Sequence, residues 1–247
     1  MRVTGTAPEG ASTEQQAARW VRSMFGRVAP RYDLANHVLS VNIDRYWRMH
    51  TVHKLRPYLT RPDSRVLDLA CGTADLLIAM ERTAGRALLG GDFCHPMLTA
   101  AQKKLQRHHL ASVLIESDAL CLPFPDKSLD LITIAFGFRN LSNYPEGLLE
   151  MRRVLKPGGA LAILEFSHPP NRLFAAVYEW YSRRMLPAIG GVISGAPEAY
   201  RYLRESVNKF PGAPELRDMM TCSGFDKVDW EYLSLGIAAL HIGSVNG

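Results

Sequence analysis

Arg65-Val66-Leu67-Asp68-Leu69-Ala70-Cys71-Gly72-Thr73-Ala74-Asp75, with Gly91-Asp92-Phe93 closing the next apolar run, decides how this chain folds. An acid ending a buried strand, a turn of small residues opening a helix and a second acid about twenty residues on together describe an adenosine-binding α/β crevice. A cofactor lying across the carboxyl ends of parallel strands needs a first turn with little side chain, and Gly72 is best placed to let backbone approach it. Asp92 ends the second strand, where a carboxylate accepts both ribose hydroxyls, with Phe93 beside it. Asp68, one strand earlier, is expected to aim at the turn's own amides or at a cationic group of the ligand.

A dinucleotide site prefers G-x-G-x-x-G, whose glycines seat a pyrophosphate on a helix N-terminus. Here Gly72 stands alone, with Ala70 and Ala74 at the neighbouring small positions. Such a turn suits a cofactor built from an amino acid and a nucleoside, such as S-adenosylmethionine, better than it suits a pyrophosphate.

With 247 residues the chain can form one large α/β domain with a helical extension and a single core. Its 29 basic and 24 acidic residues leave a charge of +5, too diffuse to name an acidic partner. Lys103-Lys104 and Arg183-Arg184 read as solvated helix faces. Neither a basic stripe with interleaved aromatics nor an Asn-Pro-Pro-Tyr clamp for a flipped base is present, so nucleic acid is not an expected partner. Cys71, Cys94, Cys121 and Cys222 lack C-x-x-C pairing and metal-ligand spacing, which suits reduced thiols in a cytoplasm and no metal site. Glu9 and Glu14, without a long apolar core around them, argue against a secretory leader, and no run of about eighteen apolar residues exists. The chain is expected in the cytoplasm, either soluble or peripheral at the inner face of the membrane.

Residues 1–11 are polar, carry Gly and Pro, and are expected to be mobile. Thr13 with Gln16 offers a capping pair for a helix to about Gly26, with Ala17, Trp20, Val21 and Met24 at helical spacing. A second helical pattern runs from Leu34 to about Leu59 and stops before Arg61-Pro62-Asp63. Residues 1–62 thus form an N-terminal helical segment and 63–247 the cofactor-binding domain. Strands are expected near 65–70, 87–92, 113–117, 129–135, 160–167, 226–233 and 237–243, alternating with helices until a short turn at Leu235-Gly236 joins the last two. This predicts a seven-stranded sheet with six parallel strands and one reversed near an edge, covered by helices on both faces. Lys156-Pro157-Gly158-Gly159 reads as a turn into the fifth strand. His241, inside the last strand, is expected to satisfy a local hydrogen bond. Residues 171–195 break the alternation with Phe174, Tyr178, Trp180 and Tyr181 beside Arg172, Arg183 and Arg184. They read as a core helix, a lid over an apolar substrate, a membrane-surface helix or a homodimer face.

Further strings narrow the function. They are Asp118-Ala119-Leu120-Cys121-Leu122-Pro123, Phe136-Gly137-Phe138-Arg139-Asn140-Leu141, Leu164-Glu165-Phe166-Ser167, and Tyr200-Arg201-Tyr202-Leu203. From about Phe25 to Gly243 the chain resembles the C-methyltransferases that act on the quinol ring in menaquinone and ubiquinone biosynthesis. The resemblance implies a class I methyltransferase, Rossmann-like fold with S-adenosylmethionine as methyl donor. It also implies an N-terminal segment covering the substrate and a lipophilic prenylated quinol, most directly demethylmenaquinol, as acceptor. Thr73, Asp92, Asp118 and Ala119 match the family's cofactor contacts, and Ala135 stands where a serine is common. His37, Asp44 and Ala74 stand where the family usually has an acid, a histidine and a glycine.

Methyl transfer from a sulfonium to a ring carbon is an in-line displacement, favoured by holding the reactants close in a dry site. A cation or strong donor near the developing phenolate oxygen lowers the barrier. Arg139 is the candidate for that task, with Asn140 orienting it or the ring oxygen, unless Arg139 only pairs with a helix acid. Arginine's pKa above about 12 rules it out as a base, which leaves His37, Asp33 or Asp44, directly or through water. Tyr32, Phe138, Tyr178 and Tyr202 are the aromatic candidates for contact with the acceptor. Two other functions stay open: methylation of another phenol or quinol, and a non-catalytic cofactor-binding subunit of a quinone-pathway complex. The polar Arg139-Asn140 pair argues against the second.

Overall fold

A computed structural model describes residues 4–29, 32–33, 40, 42–171, 175 and 197–246 of the chain. His37, Tyr178 and nearly all of 171–195 lie outside the described residues. Two helices, α1 (Glu14–Val28) and α2 (Ile43–Leu59), precede the sheet. Thr13 caps α1 by accepting the Gln16 amide at 3.2 Å, while the Gln16 side chain accepts the Ser12 amide at 2.9 Å. The spacing of Ala17, Val21, Met24 and Val28 turns one stripe of α1 inward.

Then follow β1 (Val66–Leu69), α3 (Asp75–Ala84), β2 (Leu89–Asp92), α4 (His95–Arg107), β3 (Val113–Glu116), β4 (Leu129–Ala135) and a 3₁₀ turn at Phe138–Asn140. The rest is α5 (Tyr144–Val154), β5 (Leu155–Phe166), α6 (Pro197–Lys209), α7 (Ala213–Cys222), β6 (Lys227–Leu233) and β7 (Ala238–Ser244). The strands form one sheet in the order β3-β2-β1-β4-β5-β7-β6. β1 to β5 pair in parallel, and β7 runs against both β5 and β6. Six parallel strands with one reversed, one place in from the edge, is the arrangement the sequence predicts. The chain moves outward from β1 to β3 and then jumps back to β4, so the carboxyl ends of β1 and β4 diverge into a crevice.

Helices cover both faces of the sheet, which is why all of β1 and the middle of β4, Leu131 to Ile134, are buried, Asp68 and Thr133 included. On one face Leu55, Leu77, Met80 and Leu105 pack against Leu131, Ala160 and Ala162. On the other, Leu148, Met151, Met220 and Phe225 pack against Ile132, Ile134 and Ile163. Each buried aliphatic side chain of this kind contributes about 1.5–3 kcal/mol. His241 is held within the sheet, its Nε2–H donating to the Ala213 carbonyl at 2.8 Å, and burial pushes its pKa down to about 4.

Two expectations differ from the structure. Lys156–Gly159 does not precede β5 but lies within it: Leu155 already pairs with Leu129, and the register slips before Ala160 meets Leu131. The Gly158 amide donates to Val245 at 2.6 Å and the Val245 amide to Gly159 at 3.0 Å, so the chain beyond β7 clamps the turn into the sheet. The amino-terminal residues are also placed rather than loose. Thr6 and Pro8 are buried, the Thr6 amide donates to the Leu141 carbonyl at 2.8 Å, and Thr4 bridges to Asn143. Among the described residues no helix is long and apolar enough to cross a membrane.

Candidate active site

The site starts from an unusual turn after β1. Ala70 (φ 51°), Gly72 (φ 54°) and Ala74 (φ 73°) all adopt left-handed backbone. Glycine alone adopts this backbone without a Cβ penalty, so Ala70 and Ala74, the residue capping α3, carry strain that Gly72 does not. The turn is braced by β2. The Cys71 amide donates to Gly91 O at 3.0 Å, and the Gly72 amide to Asp92 Oδ2 at 2.9 Å. Asp92 Oδ1 accepts the Cys94 amide at 2.9 Å, so a single carboxylate locks two loops at the crevice. Burial pushes the Asp92 pKa up to about 6, although the Cys94 and Gly72 amides favour its charged form.

A cleft of about 750 Å³, counted with its open mouth, lies over this turn. Of the residues singled out in the sequence, Gly72, Asp92, Phe93, Asp118, Ala119, Ala135, Tyr32 and Asn140 line it. Sequence reasoning missed Phe25 and Ala18, which α1 contributes seven residues apart, two helical turns along one face. It also missed Ser117, the residue before Asp118, which lines the cleft and whose buried hydroxyl, close to Gly91, has no hydrogen-bond partner among the described residues. A carboxylate for a ribose, an unpartnered buried hydroxyl and a turn of short side chains between apolar walls from Phe25, Phe93 and Met97 fit S-adenosylmethionine.

Other expected site residues stand outside this lining. The Thr73 hydroxyl donates to Asp33 Oδ1, and Asp33 Oδ2 accepts from Lys104 Nζ at 2.8 Å. Lys104 also pairs with Asp75 in the first turn of α3, so Asp33 and the residue before it, Tyr32, are tied to the cofactor turn. Phe138 is not a wall of the cleft: it is fully buried, its ring stacked 5.4 Å from that of Tyr144, with Phe210 on its edge. A 3₁₀ turn steps about 120° per residue, which sends Phe138 into the core and Asn140 into the cleft.

Arg139, between them, is 5% exposed and enclosed by protein. Its Nη1 lies 2.8 Å from Glu165 Oε1 and also donates to the Phe136 carbonyl, while its guanidinium covers the Phe166 ring at 5.3 Å. The Arg139 amide donates to the other Glu165 oxygen at 3.2 Å, and Tyr144 donates to the Arg139 carbonyl at 2.9 Å. Burial opposes its charge, but the Glu165 carboxylate, together with the Tyr32 and Tyr202 hydroxyls, more than offsets this and holds the guanidinium above its ordinary pKa. The partner acid thus comes from strand β5 rather than from a helix. Arg139 braces the wall whose inner surface is Phe136 and Asn140.

Asp68 lies beneath the turn, 1% exposed. Its Oδ1 accepts the Thr133 hydroxyl at 2.7 Å, and the Leu77 amide in the first turn of α3, rather than the expected turn amides, also favours its charged form. Burial pushes its pKa up to about 7. The folded state therefore holds this proton more tightly than the unfolded chain does, and the stabilisation is lost as pH rises from about 4 to about 7, then levels off. Asp68→Asn removes that loss. Its stability relative to the parent is expected to improve by about 4 kcal/mol between those limits and to stay constant above them. Urea unfolding at half-unit pH steps reads this, and a pH-independent difference contradicts it.

A model of the ubiE/COQ5 methyltransferase family matches residues 11–245. The demethylmenaquinone methyltransferase of Thermus thermophilus is 48% identical over 221 residues, 89% of this chain and 99% of that protein. That of Deinococcus radiodurans is 43% identical, covering 93% of this chain and 94% of its own length. The ubiquinone/menaquinone biosynthesis C-methyltransferase UbiE of Azotobacter vinelandii is 41% identical over 93% of this chain and 91% of its own. Among solved structures, a SAM-dependent methyltransferase from Thermotoga maritima superposes with a TM-score of 0.63 at 16% identity, covering 91% of this chain and 99% of that one. One from Aquifex aeolicus gives 0.51 at 19% identity over 79% and 96%. These distant structures share the fold: a class I, Rossmann-like sheet with its cleft at the carboxyl ends of the strands.

Proposed function

Because the chain belongs to the ubiE/COQ5 methyltransferase family, we propose that it transfers a methyl group from S-adenosylmethionine to a ring carbon of a prenylated quinol, converting demethylmenaquinol to menaquinol. The observation that carries this reading is the single cleft that brings Gly72, Asp92 and Ser117 together with Tyr32, Phe136 and Asn140. The first three suit a nucleoside, and the other three a flat aromatic ring bearing oxygen.

Bound there, the cofactor supplies an electrophilic methyl group on a sulfonium. The chain's own residues place the ring and keep water away. Tyr32 and Phe136 present aromatic surface to the ring. Asn140 donates to the ring oxygen as negative charge grows on it, and Arg139 holds from behind the Phe136 carbonyl to which the Asn140 amide also donates. On receiving that methyl group the ring carbon would have to release its proton to restore the aromatic ring, so the chain must place a proton acceptor beside it. Asp33 and His37 are the candidates to accept protons, directly or through water. Asp33 is engaged by Thr73 and Lys104, and Asp44 by Arg48 and the Ser40 hydroxyl, so either acid must give up a partner before it takes a proton.

A prenylated acceptor resides in the bilayer, so the enzyme meets it at the membrane surface. Exposed Ile43, Tyr46 and Met49 on α2, with Leu235 in the turn whose Ser234 bonds to Trp47, support contact at that edge. Residues 1–62 serve as the covering segment over the acceptor, and 171–195 remain a candidate for the lipid contact.

The test is a competition among acceptors in detergent with labelled S-adenosylmethionine. Label is expected on reduced demethylmenaquinone and not on a panel of soluble phenols. Transfer only to a soluble phenol overturns the proposed substrate, and cofactor binding without transfer to any acceptor overturns the proposed reaction.

A further inference from the structure

We propose that Thr6 is a positioning residue for methyl transfer, acting through the Tyr202 hydroxyl to fix the side-chain amide of Asn140. This rests on the reading that Asn140 meets the acceptor's ring oxygen.

The amino-terminal residues lie as a strap on the back of the cleft wall. The Thr6 amide donates to Leu141 O at 2.8 Å, and Thr4 bridges to Asn143. Lys209 Nζ reaches the Ala7 carbonyl at 3.4 Å from α6. Contact with the wall is so close that a Cβ at Gly5 would sit 2.3 Å from Leu141 O and 2.6 Å from the Ser142 carbonyl carbon. Leu141 and Ser142 line the cleft on their other side. The family match begins at residue 11, so the strap lies ahead of the shared sequence.

From this strap a chain of hydroxyls runs to the cleft. Thr6 Oγ1 is 2.8 Å from the Tyr202 hydroxyl, which is 3.0 Å from Asn140 Oδ1. A phenol has one proton to give. With that proton on Asn140 Oδ1, Thr6 must be the donor to the Tyr202 oxygen. The direction of the relay is thereby set: Thr6 to Tyr202 to Asn140. Successive bonds of this kind polarise one another.

The relay decides which end of the amide faces the ligand. Oδ1 is held by Tyr202, so the NH₂ group is the end left for the cleft. One of its hydrogens reaches the Phe136 carbonyl at 3.4 Å, and the other is available to an acceptor oxygen. A turned-over amide would present oxygen to oxygen and repel the developing phenolate. Thr6 and Tyr202 are 5% and 6% exposed, so water does not readily replace either bond.

Thr6→Val keeps the shape and removes the hydroxyl. Its kcat with demethylmenaquinol is expected to fall about three- to tenfold, the worth of one neutral hydrogen bond. Affinity for S-adenosylmethionine should stay within about twofold, because neither Thr6 nor Tyr202 lines the cleft. Thr6→Ser should restore the rate, which a purely packing role would not do. Tyr202→Phe removes the next link, and adding Thr6→Val to it should cause no further loss, since the two residues act in series. Unchanged kcat in Thr6→Val, or independent losses that multiply in the double variant, overturns the relay while wild-type transfer leaves the proposed function standing. Wild-type protein that methylates no quinol overturns both.

Discussion

Replacing Arg139 with methionine is expected to destabilise the protein by about 3–5 kcal/mol, because it leaves a buried carboxylate without its counter-charge. Glu165 is 1% exposed, and the Arg139 guanidinium is its ion-pair partner at 2.8 Å. For a chain of this size that loss lowers the melting temperature by about 6–20 °C. Glu165→Leu should fall by a similar amount. Joining the two changes removes both charges together, and the double variant should regain most of the lost stability, since a buried pair is often no better than an apolar pair of similar volume. Methyl transfer should not return with it. Arg139 also donates to the Phe136 carbonyl, which Asn140 shares, and methionine offers no such donor. Thermal melts and transfer rates on the four proteins separate the two roles. A single Arg139→Met variant as stable as the parent contradicts the buried strut.

Asp92→Asn should weaken S-adenosylmethionine binding by about 10- to 150-fold while leaving the sheet folded, the worth of a hydrogen bond to a charged group. The native carboxylate accepts the Gly72 and Cys94 amides, one on each oxygen. An asparagine in the same place has one oxygen and one NH₂, so one of those amides faces a donor and the turn loosens. The ribose acceptor is halved as well. With the carboxyl pKa raised to about 6, cofactor affinity of the parent should fall as pH drops through that value, because the protonated form cannot accept as many hydrogens. Calorimetric titration across pH 5 to pH 8 should show this slope in the parent and lose it in Asp92→Asn. Equal affinities in the two proteins remove Asp92 from the site.

Much of the sheet was legible because buried parallel strands leave unbroken apolar runs bounded by turn residues. β5 escaped at its start, where Pro157 and two glycines read as a break although long-range bonds to Val245 keep that stretch in the sheet. Residues 4–8 were misread for a related reason. Their seat depends on backbone bonds to Leu141, which leave no side-chain pattern. In the site, the small turn and the two acids announced themselves, since close approach and charge limit which residues serve there. The partner of Arg139 did not. Glu165 could be placed on a buried strand, but nothing in local spacing joins residues 26 positions apart in the chain. Ser117 was hidden beside a more conspicuous acid, and the separate directions of Phe138 and Asn140 depend on the tight pitch of a turn that sequence does not specify.

An enzyme that methylates a ring carbon of a lipophilic quinol leaves its mark in the position of the new methyl group. Trideuteromethyl S-adenosylmethionine would be incubated with reduced demethylmenaquinone and the purified protein in detergent, and the product examined by NMR and mass spectrometry. The account predicts the trideuteromethyl group on the ring carbon, with both hydroxyls still free to be oxidised to the quinone. A label found on a ring oxygen as a methyl ether, or no label on the quinol while a soluble phenol is methylated, would contradict it.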